Sequence, residues 1–142
     1  MSWAILDTNV YIGHWERGLY QAELSAIRQG HVIRHSSVVL SELRRGARTK
    51  TALRLVESLH RLATVRWGPS AADWWEAGRL IRVIGDEHGW DAVKRREFQN
   101  DTLIALTARQ HGATVVTANV ADFTLLAQKT GIRLHLLCAL PG

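Results

Sequence analysis

The sequence predicts an α/β fold, a mostly parallel sheet sandwiched between layers of helix. Two observations carry that expectation. Short apolar runs of strand length alternate with longer segments whose apolar residues recur every three or four positions. The 142 residues also match one domain, with no repeat, low-complexity tract or linker to divide them, and only Pro69 and Pro141 as breakers.

The elements follow in order. Residues 3–6 (Trp3, Ala4, Ile5, Leu6) read as a buried strand, stopped abruptly by Asp7, Thr8 and Asn9. Residues 20–30 read as a helix closed by Gly30, the residue best suited to the left-handed conformation past a helix end. Residues 31–35 are a short strand, with Ser36 and Ser37 as cap candidates for a helix that stops at Gly46. A helix spans about Thr49 to His60, and the apolar run 62–67 reads as a strand ending at Gly68-Pro69. Ser70 caps a helix over 70–89, in which Trp74, Ala77, Ile81 and Ile84 recur with helical period. Another helix covers 99–112, capped near Asn100 or Asp101 and ended by Gly112. A buried strand (113–118), a helix (120–131) and a last strand (132–137) complete the chain.

Composition narrows the function. Eighteen Lys and Arg against thirteen Asp and Glu give a net charge of +5 and a pI near 10.1, a balance that favours polyanionic partners such as nucleic acid. No apolar run approaches the ~20 residues of a membrane span, and Asp7 interrupts any secretory-signal pattern. The single cysteine, Cys138, sits in the apolar stretch LHLLCAL and is expected to be a buried thiol in the reducing cytoplasm. The seven histidines show no pairing at metal-ligand spacing, which argues against zinc.

In parallel sheets the ligand site lies at the carboxyl ends of the strands. Asp7 follows one strand, Glu42 lies on the helix after another, Asp101 opens a helix, and Asn119 and Asp122 follow the strand 113–118. Four acids gathered at one sheet edge would repel strongly unless a cation stood among them. Hard oxygen donors of this kind suit Mg²⁺ or Mn²⁺. Taken singly, each acid has a plainer role: Asp7 and Asp101 as turn formers or helix caps, and Glu42 as the partner of Arg44 or Arg45 on a solvated face. Against that, Glu42 lies between Leu40 and Leu43, and Asp101 opens the apolar run LIAL.

At these residues the chain resembles a known family. ILDTNV, SSVVLSEL and NDTLIALTARQHGATVVTANVADF, in this order and spacing, are similar to PIN-domain ribonucleases, above all the VapC type of toxin in toxin–antitoxin pairs. The resemblance covers essentially the whole chain. It implies a three-layer α/β/α sandwich and a Mg²⁺- or Mn²⁺-dependent endoribonuclease that hydrolyses RNA phosphodiesters with a metal-activated water. It also implies inhibition by a VapB-type antitoxin, and a homodimer. Carried onto this sequence, the catalytic and metal-binding acids are Asp7, Glu42, Asp101 and Asp122. Asn119 stands where many relatives have a further acid, and Asn9 and Thr117 are placed to orient carboxylates or waters.

Two basic clusters flank these acids, Arg44, Arg45 and Arg48 after Glu42, and Lys94, Arg95 and Arg96 before Asp101. Either could grip an RNA backbone or simply form a solvated helix face. Among six tryptophans, Trp3 and Trp67 are expected in the core, while Trp15 and Trp90 have no assigned place. Trp74 and Trp75 cannot face the same side of a helix. Core packing is the favoured reading for them, with exposure of one at a dimer or antitoxin contact as the alternative. The neutral Asn119 keeps one competing function open, a non-catalytic PIN-like module that binds RNA or protein. A phosphatase with Asp7 as nucleophile ranks below both, because Asn9 stands where its general acid would be.

Overall fold

The computed structural model describes residues 2–138; Pro141, expected to act as a breaker, lies outside the described residues. Five strands, β1 (Ser2–Leu6), β2 (His31–Ser36), β3 (Arg66–Trp67), β4 (Thr114–Thr117) and β5 (Arg133–Leu136), form one sheet. Its order is β3-β2-β1-β4-β5, and every pairing is parallel. The central strands are buried on both faces, which is why they read as unbroken apolar runs: Ala4, Ile5 and Val115 have no exposed surface. Helices α1 (Thr8–Arg17), α2 (Gln21–Gly30), α3 (Ser37–Gly46) and α4 (Lys50–Leu62) fall within the β1-to-β3 half. Helices α5 (Ala71–His88), α6 (Ala92–Glu97) and α7 (Gln99–His111) carry the chain back across the sheet to β4, and α8 (Val120–Thr130) joins β4 to β5.

The winding direction reverses at the centre. From β1 the chain moves outward through β2 to β3, then returns to β4 on the other flank of β1. Right-handed crossovers on the two flanks place their helices on opposite faces, and the crevice between the diverging connections opens at the carboxyl ends of β1 and β4. Asp7 follows β1 and Thr117 ends β4, so both stand at that crevice.

Local capping explains most helix starts. Ser36 Oγ accepts from the N–H groups of Val38 and Val39, Thr49 Oγ1 from Ala52, and Ser70 forms a reciprocal capping box with Asp73. Gly112 and Gly131 end α7 and α8 in the left-handed conformation, at φ of 63° and 72°.

Several expectations are corrected. Gly30 is the last residue of α2 with no left-handed turn, and the left-handed residue of this region is Tyr20, at φ 67° before the helix. The strand expected over 62–67 contracts to Arg66–Trp67, because α4 runs on through Leu62. Leu62 and Val65 are exposed, so their apolar character marks no buried strand. Helix α7 is capped by neither Asn100 nor Asp101; its cap position is Phe98, held by no side-chain bond. The buried stripe of α5 runs through Asp73, Ala77, Leu80 and Ile84, which leaves Trp74 and Trp75 outside at 51% and 88% exposure. Trp3 and Trp67 are half-buried against the core and meet edge to face at 5.8 Å. Cys138 is exposed, since it follows the sparsely covered edge strand β5. Among the described residues no helix is long and apolar enough to cross a membrane.

Candidate metal centre

The strand β1 ends on an acid that serves two purposes. Asp7 caps α1, its Oδ1 accepting the Thr8 N–H at 2.8 Å. Its Oδ2 accepts from Thr117 Oγ1 at 2.7 Å and from Asn9 Nδ2 at 3.0 Å. Three donors therefore hold a carboxylate that is only 3% exposed. Burial nevertheless raises the Asp7 pKa against the downward pull of Thr117, Thr8 and Asn9, and Glu42 adds to the rise. Asn9 and Thr117 are themselves fixed: Asn9 Oδ1 accepts from the Ala118 N–H at 3.1 Å, and Thr117 Oγ1 from the Asn119 N–H at 2.9 Å. The turns after β1 and β4 are thus tied into one unit around Asp7.

Glu42 arrives on α3, whose buried face (Val39, Leu40, Leu43) turns it toward α1 rather than into open solvent. It pairs with neither Arg44 nor Arg45; Oε1 accepts instead from Thr8 Oγ1 at 2.8 Å. Thr8 was not anticipated from the sequence, although its place in the turn after β1 is the available signal.

Asp101 stands in the first turn of α7, before the fully buried run from Thr102 to Ala108. Its pKa is pushed up to about 8, first by burial and then by the negative charges of Asp7, Asp122 and Glu42, with Lys94 opposing. That dependence is the physical sign that four chain segments bring their acids into one electrostatic neighbourhood.

Asn119 caps α8, its Oδ1 accepting the Asp122 N–H at 3.4 Å. Its Nδ2 donates to Asp101 Oδ2 at 3.1 Å and to Asp122 Oδ2 at 3.2 Å, spanning the gap between those two acids. Asp122 also receives Lys94 Nζ on both oxygens, at 3.0 and 3.1 Å.

All the site's donors are oxygens, the set a hard divalent cation takes, and the charge repulsion that helps raise the Asp101 pKa is what such a cation would relieve. In charge and donor chemistry the residues fit Mg²⁺ or Mn²⁺. They do not form a ready-made cage. Among the described residues no three His, Cys, Asp or Glu side chains gather as a metal-binding group; Glu42 is drawn to Thr8 and Asp122 to Lys94.

The basic clusters separate. Arg44, Arg45 and Arg48 are exposed along the α3–α4 connection, and Arg96 is exposed on α6. Arg95 lies over Gly85, donating to the Trp90 carbonyl at 3.0 Å and pairing with Asp86 at 3.1 Å. Lys94 turns onto Asp122, with its side chain still 35% exposed.

A doubly wound parallel sheet with acids at its switch point defines an α/β domain built around a polyacidic crevice. The family model for the PIN domain matches residues 4–127, and the chain belongs to the PIN domain family. Similar solved structures include VapBC2 from Rickettsia felis bound to a promoter DNA fragment, at TM-score 0.67 and 23% identity, covering 96% of this chain and 99% of that one. VapBC-1 from nontypeable Haemophilus influenzae matches at TM-score 0.66 and 20% identity, over 94% and 97% of the two chains. DNA-bound VapBC from Salmonella typhimurium matches at TM-score 0.65 and 23% identity, over 97% and 100%. At these identities the likeness establishes the three-layer fold. A search of curated proteins finds no match.

Proposed function

We propose that the chain is a cytoplasmic VapC-type toxin, a Mg²⁺- or Mn²⁺-dependent endoribonuclease held in check by a VapB-type antitoxin. What supports this is that Asp7, Glu42 and Asp122 all raise the Asp101 pKa although they come from separate segments, with Asn119 bonded to both Asp101 and Asp122. Asp7 and Asp101 would hold the ion, Glu42 would join once released from Thr8, and Asp122, held by Lys94, would contribute through its charge or a water. Asn119 would add an amide but no charge.

When bound, such an ion supplies Lewis acidity and lowers the pKa of water for attack on a phosphodiester. The chain's own groups provide the rest. Thr117, Asn9 and the Thr8 N–H keep the Asp7 oxygens in place, and Asn119 fixes Asp101. Asp101 keeps its proton near neutrality until a cation offsets its neighbours. Exposed Arg44, Arg45, Arg48 and Arg96 would contact backbone phosphates on either side of the cut.

The test is cleavage of total RNA by the purified chain with Mn²⁺ or Mg²⁺, and with chelator. Metal-dependent fragments are expected. The neutral Asn119 favours one rival, a PIN-like module that binds RNA or protein without cutting, for which binding would persist in chelator and no fragments would form.

The antitoxin reading rests on the solved neighbours, which are VapBC complexes, and on a groove beside the site. Ile12, Trp15, Leu43, Ala47, Leu55 and Val56 line a cavity of about 280 Å³ that Glu42 also borders. An amphipathic segment laid there would cover apolar surface and reach the acids. Leu55→Glu is therefore expected to weaken antitoxin capture by about tenfold or more, through a charge buried in an apolar contact, with RNA cleavage unchanged. Pull-down of a co-expressed antitoxin and an RNA assay check the two halves.

The exposed pair Trp74 and Trp75 on α5 is assigned to a homodimer contact. Trp75→Glu, at a position 88% exposed in the single chain, is expected to convert a dimer into a monomer without loss of fold. Light scattering after size exclusion decides it; an unchanged mass would remove α5 from the interface.

A further inference from the structure

The acid that completes the site is already neutralised from within the chain. Lys94 Nζ lies 3.0 Å from Asp122 Oδ1 and 3.1 Å from Oδ2. The same ammonium sits 5.0 Å from the centre of the Trp90 ring and 5.8 Å from that of Phe98, on the electron-rich side chains that attract cations. Those two rings pack edge to face at 4.8 Å, and Phe98 is fully buried. Trp90, without a role in the sequence, here forms one wall of a cage whose other walls are Phe98 and a carboxylate.

Among the described residues, this pair differs from the ion pairs Arg95–Asp86 and Lys129–Glu87. In Arg95–Asp86 and Lys129–Glu87 the acids are 60% and 48% exposed, whereas the Asp122 side chain is 16% exposed. The difference lies at the acid, since Lys94 is itself 35% exposed; the more buried carboxylate is screened less than those two.

Charge counting then gives the contact a consequence. Asp7, Glu42, Asp101 and Asp122 would carry four negative charges when ionised, and Lys94 leaves three. One divalent ion reduces these to one, and a second would turn the pocket positive. Asn119, between Asp101 and Asp122, adds no charge to seat another.

We propose that Lys94 is the resident cation of this site, occupying Asp122 in place of a second divalent ion and so limiting the pocket to one. It acts on the metal through Asp122 and the charge of the cluster, as a positioning residue. The inference rests on the metal-dependent reading above.

Mn²⁺ titration followed by calorimetry and by electron paramagnetic resonance tests it without any assay of cleavage. The wild-type chain is expected to bind one Mn²⁺. Lys94→Met keeps an unbranched side chain over the two rings but removes the charge; it should bind Mn²⁺ about tenfold more tightly or better and accept a second ion. Lys94→Arg should titrate like wild type. Lys94→Gln, tested alongside, should follow Lys94→Met, and near-UV circular dichroism verifies the fold of each. Two ions on the wild-type chain, or identical titrations for Lys94→Met, Lys94→Gln and wild type, overturn the proposal and leave the metal-dependent reading standing. No Mn²⁺ binding by any of the four chains removes both.

Discussion

Asp7→Asn is expected to lower metal-dependent RNA cleavage by about a thousandfold or more while leaving the protein folded. The two halves of that result have different causes. Asp7 ends the central strand β1 at the switch point, and its oxygens are the most tightly positioned of the four acids. Replacing one oxygen by an amide nitrogen removes the charge that would draw a cation to the centre of the cluster. It also sets an N–H group against a donor, the Thr8 N–H on one side or the Asn9 amide and Thr117 hydroxyl on the other. A lost hydrogen bond of this kind costs roughly 1–3 kcal/mol. Opposing it, the buried carboxylate is itself unfavourable, as its raised pKa records, and the neutral amide is easier to bury. These terms nearly cancel, so a melting curve close to wild type should accompany the loss of cleavage. Undiminished cleavage in Mn²⁺ would remove Asp7 from the chemistry.

Asp101→Asn should stabilise the metal-free chain, and the size of the effect should depend on pH. The folded state holds the Asp101 proton up to about pH 8, against 3.8 for the ordinary carboxyl. Between those values the folded chain binds more protons than the unfolded one, so stability falls as pH rises. The contribution is fully present below pH 3.8 and lost by the time pH passes about 8. At full strength, the rise from 3.8 to about 8 corresponds to about 6 kcal/mol as an upper bound. Residual solvent access reduces this to about 2 kcal/mol, or roughly 5 °C in Tm. Asparagine keeps an acceptor for the Asn119 amide and no longer titrates. Its advantage should therefore be small at pH 4 and largest above pH 8. Added Mn²⁺ should raise the Tm of wild type more than that of the variant, because the ion stabilises only the state that binds it well. Thermal melts at pH 4 and 8.5, with and without Mn²⁺, separate this from a helix-capping role, for which Asp101→Asn would change little at either pH.

Much of the architecture was legible because it is written in short-range chemistry. Ser36 and Ser70 cap the helices assigned to them, Thr49 stands at the start of its helix, and Gly112 and Gly131 close theirs with left-handed turns. The apolar runs around Ala4 and Val115 are the two-faced burial of central parallel strands. Each signal acts within a few residues, so neighbours in the chain suffice to reveal it. Failures came where apolar character had to be converted into burial. Leu62, Trp74, Trp75 and Cys138 are apolar or weakly polar yet exposed, since exposure depends on which other element covers a position.

What the sequence by itself determined is the alternating α/β order and the identity of the acids at the strand ends, because periodicity, capping and residue chemistry are local properties. What only the tertiary structure decided is which of those groups touch. Asp7 meets Thr117 across 110 positions of chain, and Lys94 meets Asp122 across 28. Both contacts follow from the strand order β3-β2-β1-β4-β5 and the packing of α6 and α8 against α7. That order is set by burying all the apolar faces at once, and no stretch of the chain carries it alone.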